Sequence, residues 1–145
     1  QYSWQQQIRG SWTQLLPKQL NANPASNPER HGQRKMAEFN TDRIRELNDR
    51  ARQSFTGCRV GITSGIAELG DDVVQHILTQ VRTYDQFTPL NDPYQEHDFG
   101  SFHHDQVHVF WKWDYYDLDY SMHSPDPADE TVTARVLTIM LAEEY

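Results

Sequence analysis

Apolar positions recur along this chain with two different periods. Ile44, Leu47, Ala51 and Phe55 lie three or four residues apart, a spacing that predicts one buried helical stripe. Thr41 or Asp42 supplies an N-cap and Gly57 a stop, so the helix is expected to run to about Ser54. Arg43, Arg45, Glu46, Asp49, Arg50 and Arg52 fall on its other faces and read as solvated. Cys58–Thr63 reads as a short strand and Ser64-Gly65 as a turn. A second stripe, Val73, Val74, Ile77, Leu78, Val81 and Tyr84, predicts a helix capped by Asp71 or Asp72. Pro89, Asn91, Asp92 and Pro93 then mark a loop.

The period changes to two after Phe99. Phe99–His104 and Val107–Tyr115 flank Asp105-Gln106, which predicts a hairpin closed by a two-residue turn. Phe102, Val107, Val109, Trp111, Trp113 and Tyr115 share one face and are expected in the core. Across the other face the register pairs His103 with His108, Ser101 with Phe110, Phe99 with Lys112, and His97 with Asp114. The last element is ambiguous. Val132, Val136, Ile139 and Met140 repeat at helical spacing, but the run from Arg135 to Leu141 is also partly β-branched. A helix from Glu130 to about Glu144 is preferred, because the acidic lead-in Pro125–Asp129 suits a helix N-terminus.

Residues 1–35 differ from the rest. Trp4–Leu16 is expected to form a short helix, and Lys18–Arg34 a linker, since its Asn-Pro pairs disfavour regular structure. The organisation expected is therefore an extension over 1–35 and a domain over 36–145. The fold class expected is α+β: a small single domain with a hairpin-containing antiparallel sheet packed on two or three helices.

With 145 residues there is length for one domain. Hydrophobic residues are only 37%, but aromatics are 12%, so a few large side chains can fill a core. No apolar run is long enough to span a membrane. No signal peptide is visible, although the first residue is Gln1 and a removed leader stays open. The single Cys58 forbids an internal disulfide and fits a reducing cytoplasm. The common metal, nucleotide and hydrolase signatures are absent.

The net charge of −8 conceals an asymmetry. Residues 1–60 hold ten basic and five acidic residues, +5, whereas 61–145 hold three basic and sixteen acidic, −13. Without residues 1–35, which carry +4, the domain stands at −12. An acidic surface is expected to meet a basic protein partner, and nucleic acid is not expected as a direct ligand. The residues expected to make that contact are Asp117, Asp119, Asp126, Asp129 and Glu130, with Asp114 at their edge.

Chemistry, if present, is expected at the His97/Asp114 end of the hairpin. There Glu96, His97, Asp98, Lys112, Asp114 and Asp117 gather, and carboxylates beside a histidine could supply an acid and a base. His97, Asp98 and Asp114 are the catalytic candidates. Five histidines lie between His97 and His123. However, His103 and His108 would sit about 20 Å from the His97/Asp114 pair, so neither end reaches the three or four ligands of a metal site. No metal or other cofactor is expected.

Four blocks carry a family resemblance: Glu96–Gly100, Phe110–Lys112 with Asp114–Asp117 (FWKxDYYD), Ser124–Asp129 (SPDPAD) and Arg135–Tyr145 (RVLTIMLAEEY). Together they resemble a family of small proteobacterial proteins known as a domain of unknown function, over about 43–145. The family's hairpin turn is Asp-Gly, where this chain has Asp105-Gln106. The resemblance implies a cytoplasmic protein, often borne on plasmids or other mobile elements, and transfers no catalytic residue. Two functional readings follow. The first is a non-enzymatic interaction module for a basic partner, which in the setting of a mobile element would be a counter-defence inhibitor that imitates the charge of DNA. The second is a small hydrolase working through the His/carboxylate cluster, metal-dependent or not.

Overall fold

The structure, a computed structural model, describes residues 31–145, with side chains from residue 40 onward. The helix expected over Trp4–Leu16 and most of the expected linker lie outside the described residues. The described part begins with helix α1, His31–Ser54, continues through strand β1, Arg59–Ile62, and reaches a single helical turn α2, Ser64–Ala67. Helix α3, Asp71–Arg82, follows. Strands β2, Phe99–His104, β3, Val107–Tyr116, and β4, Ala134–Leu141, come next, and a short 3-10 helix, Ala142–Glu144, ends the chain.

Helix α1 starts well before Thr41 and Asp42, which are interior residues rather than caps, and takes in the last four residues of the expected linker. Beyond Pro28 the chain has Gln33, Arg34, Lys35, Met36, Ala37 and Glu38. These are good helix formers with no apolar period to announce them. Its stripe is as the spacing requires: Ile44, Leu47 and Ala51 are buried and Phe55 packs beside them. The helix ends where Phe55 takes a left-handed φ of 54°, with Gly57 at 69° just beyond. Ser64-Gly65, expected as a turn, opens α2. Asp71 and Asp72 stand in the first turn of α3, where they favour the helix dipole, while Gly70 occupies the cap.

Among the described residues four strands form one sheet in the order β1-β4-β3-β2. The hairpin register is the expected one, with Phe99 opposite Lys112, Ser101 opposite Phe110 and His103 opposite His108. Asp105 takes the φ of 53° that lets two residues close it. The sheet is mixed: β2, β3 and β4 are antiparallel, while β1 runs parallel to β4. Val74, Ile77, Val81, Val109, Trp111, Trp113, Leu137 and Ile139 make the core between sheet and helices. Gly100 lies under the Trp111 indole, where any Cβ would collide.

The expected final helix is a correction. Residues 134–141 form β4, an inner strand flanked by β1 and β3. Val136, Leu137, Ile139 and Met140 are buried on both its faces. A strand covered on both sides reads as a continuous apolar run, which periodicity cannot tell from a buried helix. Glu130, expected to start that helix, lies in the β3–β4 connection.

Candidate functional site

Helix α1 presents more than its apolar stripe. Asn48 and Arg52 complete the same face at one-turn spacing and are 0% and 1% exposed. Arg52, expected on a solvated face, donates from Nη1 to the carbonyls of Val81 (2.8 Å) and Tyr84 (3.0 Å), and from Nη2 to Asp49 (3.0 Å). Its guanidinium also lies over the Phe87 and Trp111 rings, at 5.5 and 5.1 Å from their centroids. Asn48 donates to the Glu96 carbonyl (3.0 Å) and to Tyr115 Oη (2.7 Å), and its Oδ1 accepts from Arg135 Nε (3.0 Å). Arg135, buried on β4, also donates to the Pro127 carbonyl and stacks on Tyr115.

The loop before β2 closes over this face. Asp92 is buried, and its Oδ1 accepts the backbone N–H groups of Glu96 (3.1 Å) and His97 (3.2 Å). The hairpin ladder ends with the Trp113 N–H donating to the Asp98 carbonyl. His97 does not continue it. Its φ of 51° turns the chain, and its ring stacks flat on Phe87 at 3.6 Å. Nδ1 lies 2.9 Å from both oxygens of Asp49, and Nε2 lies 3.7 Å from Asp92 Oδ2.

The expected His97/Asp114 pair is thus not formed. Asp114 lies on β3, buried, with Lys112 Nζ at 3.1 Å. His97, Asp98 and Asp114 share a neighbourhood, yet His97 meets Asp49 and Asp92 while Asp114 meets Lys112. Burial, then the charges of Asp98 and Asp92, pushes the Glu96 carboxyl up to about 7. Burial, then Asp92, raises Asp98 as well, and burial lowers the Lys112 ammonium against the pull of Asp114. Among the described residues no three His, Cys, Asp or Glu side chains are arranged to hold a metal ion. Cys58 packs against the core, and burial pushes its thiol up to about 11, the opposite of an activated nucleophile.

The five acids expected to meet a partner lie on the β3–β4 connection and have a different character. Asp117 accepts from Ser121 N (2.9 Å) and Ser121 Oγ (3.0 Å), and these bonds hold its carboxyl below the usual range. Asp129 accepts from the Thr131 hydroxyl (2.6 Å) and N–H (2.9 Å), with the same consequence. Asp126 accepts from Ala128 N (3.0 Å). Glu130 pairs with Arg50 at 2.5 Å and faces Arg43 at 3.8 Å. Asp119 is exposed at the loop tip. Asp126 and Asp129 form Asx turns and Asp117 bonds four residues on, so all three are ordered by local bonds.

Sequence reasoning missed Asp49, Arg52, Asn48, Asp92 and Phe87. The one available signal was that Asn48 and Arg52 extend the stripe of Ile44, Leu47 and Ala51 at the spacing of a buried face.

The fold and these two polar regions define a small α+β protein built on one mixed sheet. Residues 62–144 match a family described as a protein of unknown function (DUF3768). The match covers more than half of the chain, which therefore belongs to that family. It starts later than the resemblance read from the sequence, at Ile62 rather than near Arg43, and so leaves out α1. No curated protein and no solved structure matches the chain.

Proposed function

We propose that this is a non-enzymatic, cytoplasmic interaction module that binds a basic protein partner through the acidic β3–β4 connection. The observation that carries this reading is where the cations go. Residues 61–145 hold sixteen acids and three basic residues, Arg82, Lys112 and Arg135. Arg135 is buried and Lys112 largely so, which leaves Arg82 as the cation of that stretch at the surface. The arginines that reach the connection from earlier in the chain are engaged, Arg43 and Arg50 with Glu130 and Arg59 over Tyr120, so its outward charge rests on Asp117, Asp119, Asp126 and Asp129. Asp117 and Asp129 carry the charge of exposed carboxylates, and their local hydrogen bonds fix where that charge points. Such a surface repels phosphate and attracts lysine and arginine. In the mobile-element setting that the family resemblance implies, it would serve an inhibitor that imitates the charge of DNA.

An immobilised lysine–serine peptide tests this. Binding is expected at low salt and should weaken from about 50 to about 300 mM salt. Asp117→Asn with Asp119→Asn should weaken it several-fold, since Asn still accepts the turn bonds but carries no charge. No binding at low salt, or an unchanged double variant, would sink the proposal.

The alternative is a small hydrolase using His97 with Asp98 or Asp114, with or without a metal. Its support is the Glu96 carboxyl poised near 7 beside them. It is the weaker reading because both imidazole nitrogens of His97 already face carboxylates and one ring face is covered by Phe87.

A further inference from the structure

Resting on the proposed function, we infer that the loop 117–123 is a preordered anchor for an amphipathic, cationic segment of the partner, with Leu118 and Met122 as its apolar contacts. Exposure is the starting observation. Leu118 is 59% and Met122 72% exposed, large apolar side chains on a tip that also carries Asp117 and Asp119. Holding them in water forgoes the burial that such side chains gain in a core.

The tip is ordered despite this. The Tyr120 N–H donates to the Asp117 carbonyl (3.0 Å) and the Asp117 N–H to the Met122 carbonyl (2.9 Å). Tyr120 takes a φ of 58°. The Arg59 guanidinium, from β1, lies 4.0 Å over the Tyr120 ring. Tyr116 packs near Tyr120 and bridges to His123, and the Ser124 N–H donates to the Tyr115 carbonyl at the base of the loop. Contacts from two strands therefore hold a loop whose own apolar side chains face outward. A loop fixed before contact loses little entropy on binding.

The occupant follows from charge complementarity. Leu118 lies between Asp117 and Asp119, and Met122 follows on the same tip between Ser121 and His123, so the matching surface has apolar contacts with lysine or arginine beside the one that meets Leu118. An anionic membrane is excluded by the same charges. Exposed apolar side chains on an ordered loop are positions where a few residues can dominate an interface.

Two immobilised peptides of equal charge test this, one alternating lysine and leucine as an amphipathic helix, the other lysine and serine. The full chain is expected to bind the lysine–leucine peptide more tightly. Leu118→Ser with Met122→Ser should weaken that binding by about tenfold or more and leave the lysine–serine peptide unaffected. Both substitutions are at exposed positions, so melting temperatures should match the parent. Unchanged lysine–leucine binding by this variant overturns the anchor while leaving the acidic surface intact. Loss of lysine–serine binding in the Asp117→Asn, Asp119→Asn variant alone supports the acidic surface, and its persistence sinks that reading instead. Light scattering adds a further arm: a dimer of the parent chain that the Leu118→Ser, Met122→Ser variant dissolves would assign the two side chains to self-association and overturn the proposal.

Discussion

On the inner face of α1 the charged groups are covered and paired with one another, whereas the aspartates of the β3–β4 connection stand towards water and are held by bonds within their own loop. Arg52, Asp49, His97 and Asp92 form one chain of contacts from helix to loop, with Asn48 and Arg135 beside it. Asp117, Asp126 and Asp129 bond within a few residues of themselves. The enclosed arrangement joins parts of the fold far apart in sequence, and removing one member strands the rest. The open arrangement costs the fold little and leaves its charge facing outward. Partial burial gives the α1 region the semblance of a reactive centre, while exposure gives the connection that of ordinary surface. The contacts tie the inner face of α1 to the structure, and the proposed function gives recognition to the connection.

The sharpest way to break this contrast is Arg52→Ala. It removes the guanidinium bonds to the Val81 and Tyr84 carbonyls and to Asp49, which is left with His97 alone, an expected loss of about 3 kcal/mol or more in urea unfolding. A loss near zero would mean that water replaces the guanidinium and that the region is not enclosed.

His97→Ala should come next, at about 1–3 kcal/mol, because Asp49 loses its imidazole partner and Phe87 its stacked ring. A melting temperature equal to the parent's would free His97 from this structural role and favour the hydrolase reading.

Glu96 makes the contrast depend on pH. Its carboxyl titrates at about 7 in the folded chain against an ordinary 4.5, so between those values the folded state keeps a proton that the unfolded chain has lost. Stability attributable to this group therefore falls as pH rises from about 4.5 to about 7 and stays lower above. Asp98, raised by burial and Asp92, adds in the same sense. Glu96→Gln should melt higher than the parent at about pH 8 and no higher at about pH 4. Equal melting temperatures at the higher pH would show that the Glu96 anion is well solvated.

The smallest effect belongs to Glu130→Gln. Its ion pairs with Arg50 and Arg43 are both exposed, and the expected change is under about 1 kcal/mol and smaller still in high salt. A larger loss would move Glu130 from the outward-facing group into the enclosed one.

How much of this was legible in the sequence depends on how local each feature is. The register Phe99–Lys112 through His103–His108 was legible because alternation and a two-residue turn are neighbours in sequence. The stripe Val74, Ile77 and Val81 on α3 was legible for the same reason. The five acids of the connection could be named, but not that four of them are tied into turns or to arginines. Of the catalytic candidates, the neighbourhood was legible and the partners were not. His97 was expected opposite Asp114, but its left-handed backbone turns it to Asp49, forty-eight residues away.

By itself, then, the sequence determined those features whose physical cause lies within a turn or two: the hairpin, the amphipathic helices, the excess of acid after residue 60 and the loop chemistry. Tertiary structure alone decided that Arg135–Leu141 is a strand, because the β1 and β3 edges that pair its backbone and the layers that cover both its faces come from distant parts of the chain. It alone decided that Arg52 and Arg135 are buried. A charge enters a core when partners from distant segments converge on it, here Val81, Tyr84 and Asp49 for Arg52, and Asn48 and Pro127 for Arg135. No pattern of neighbours along the chain announces that convergence.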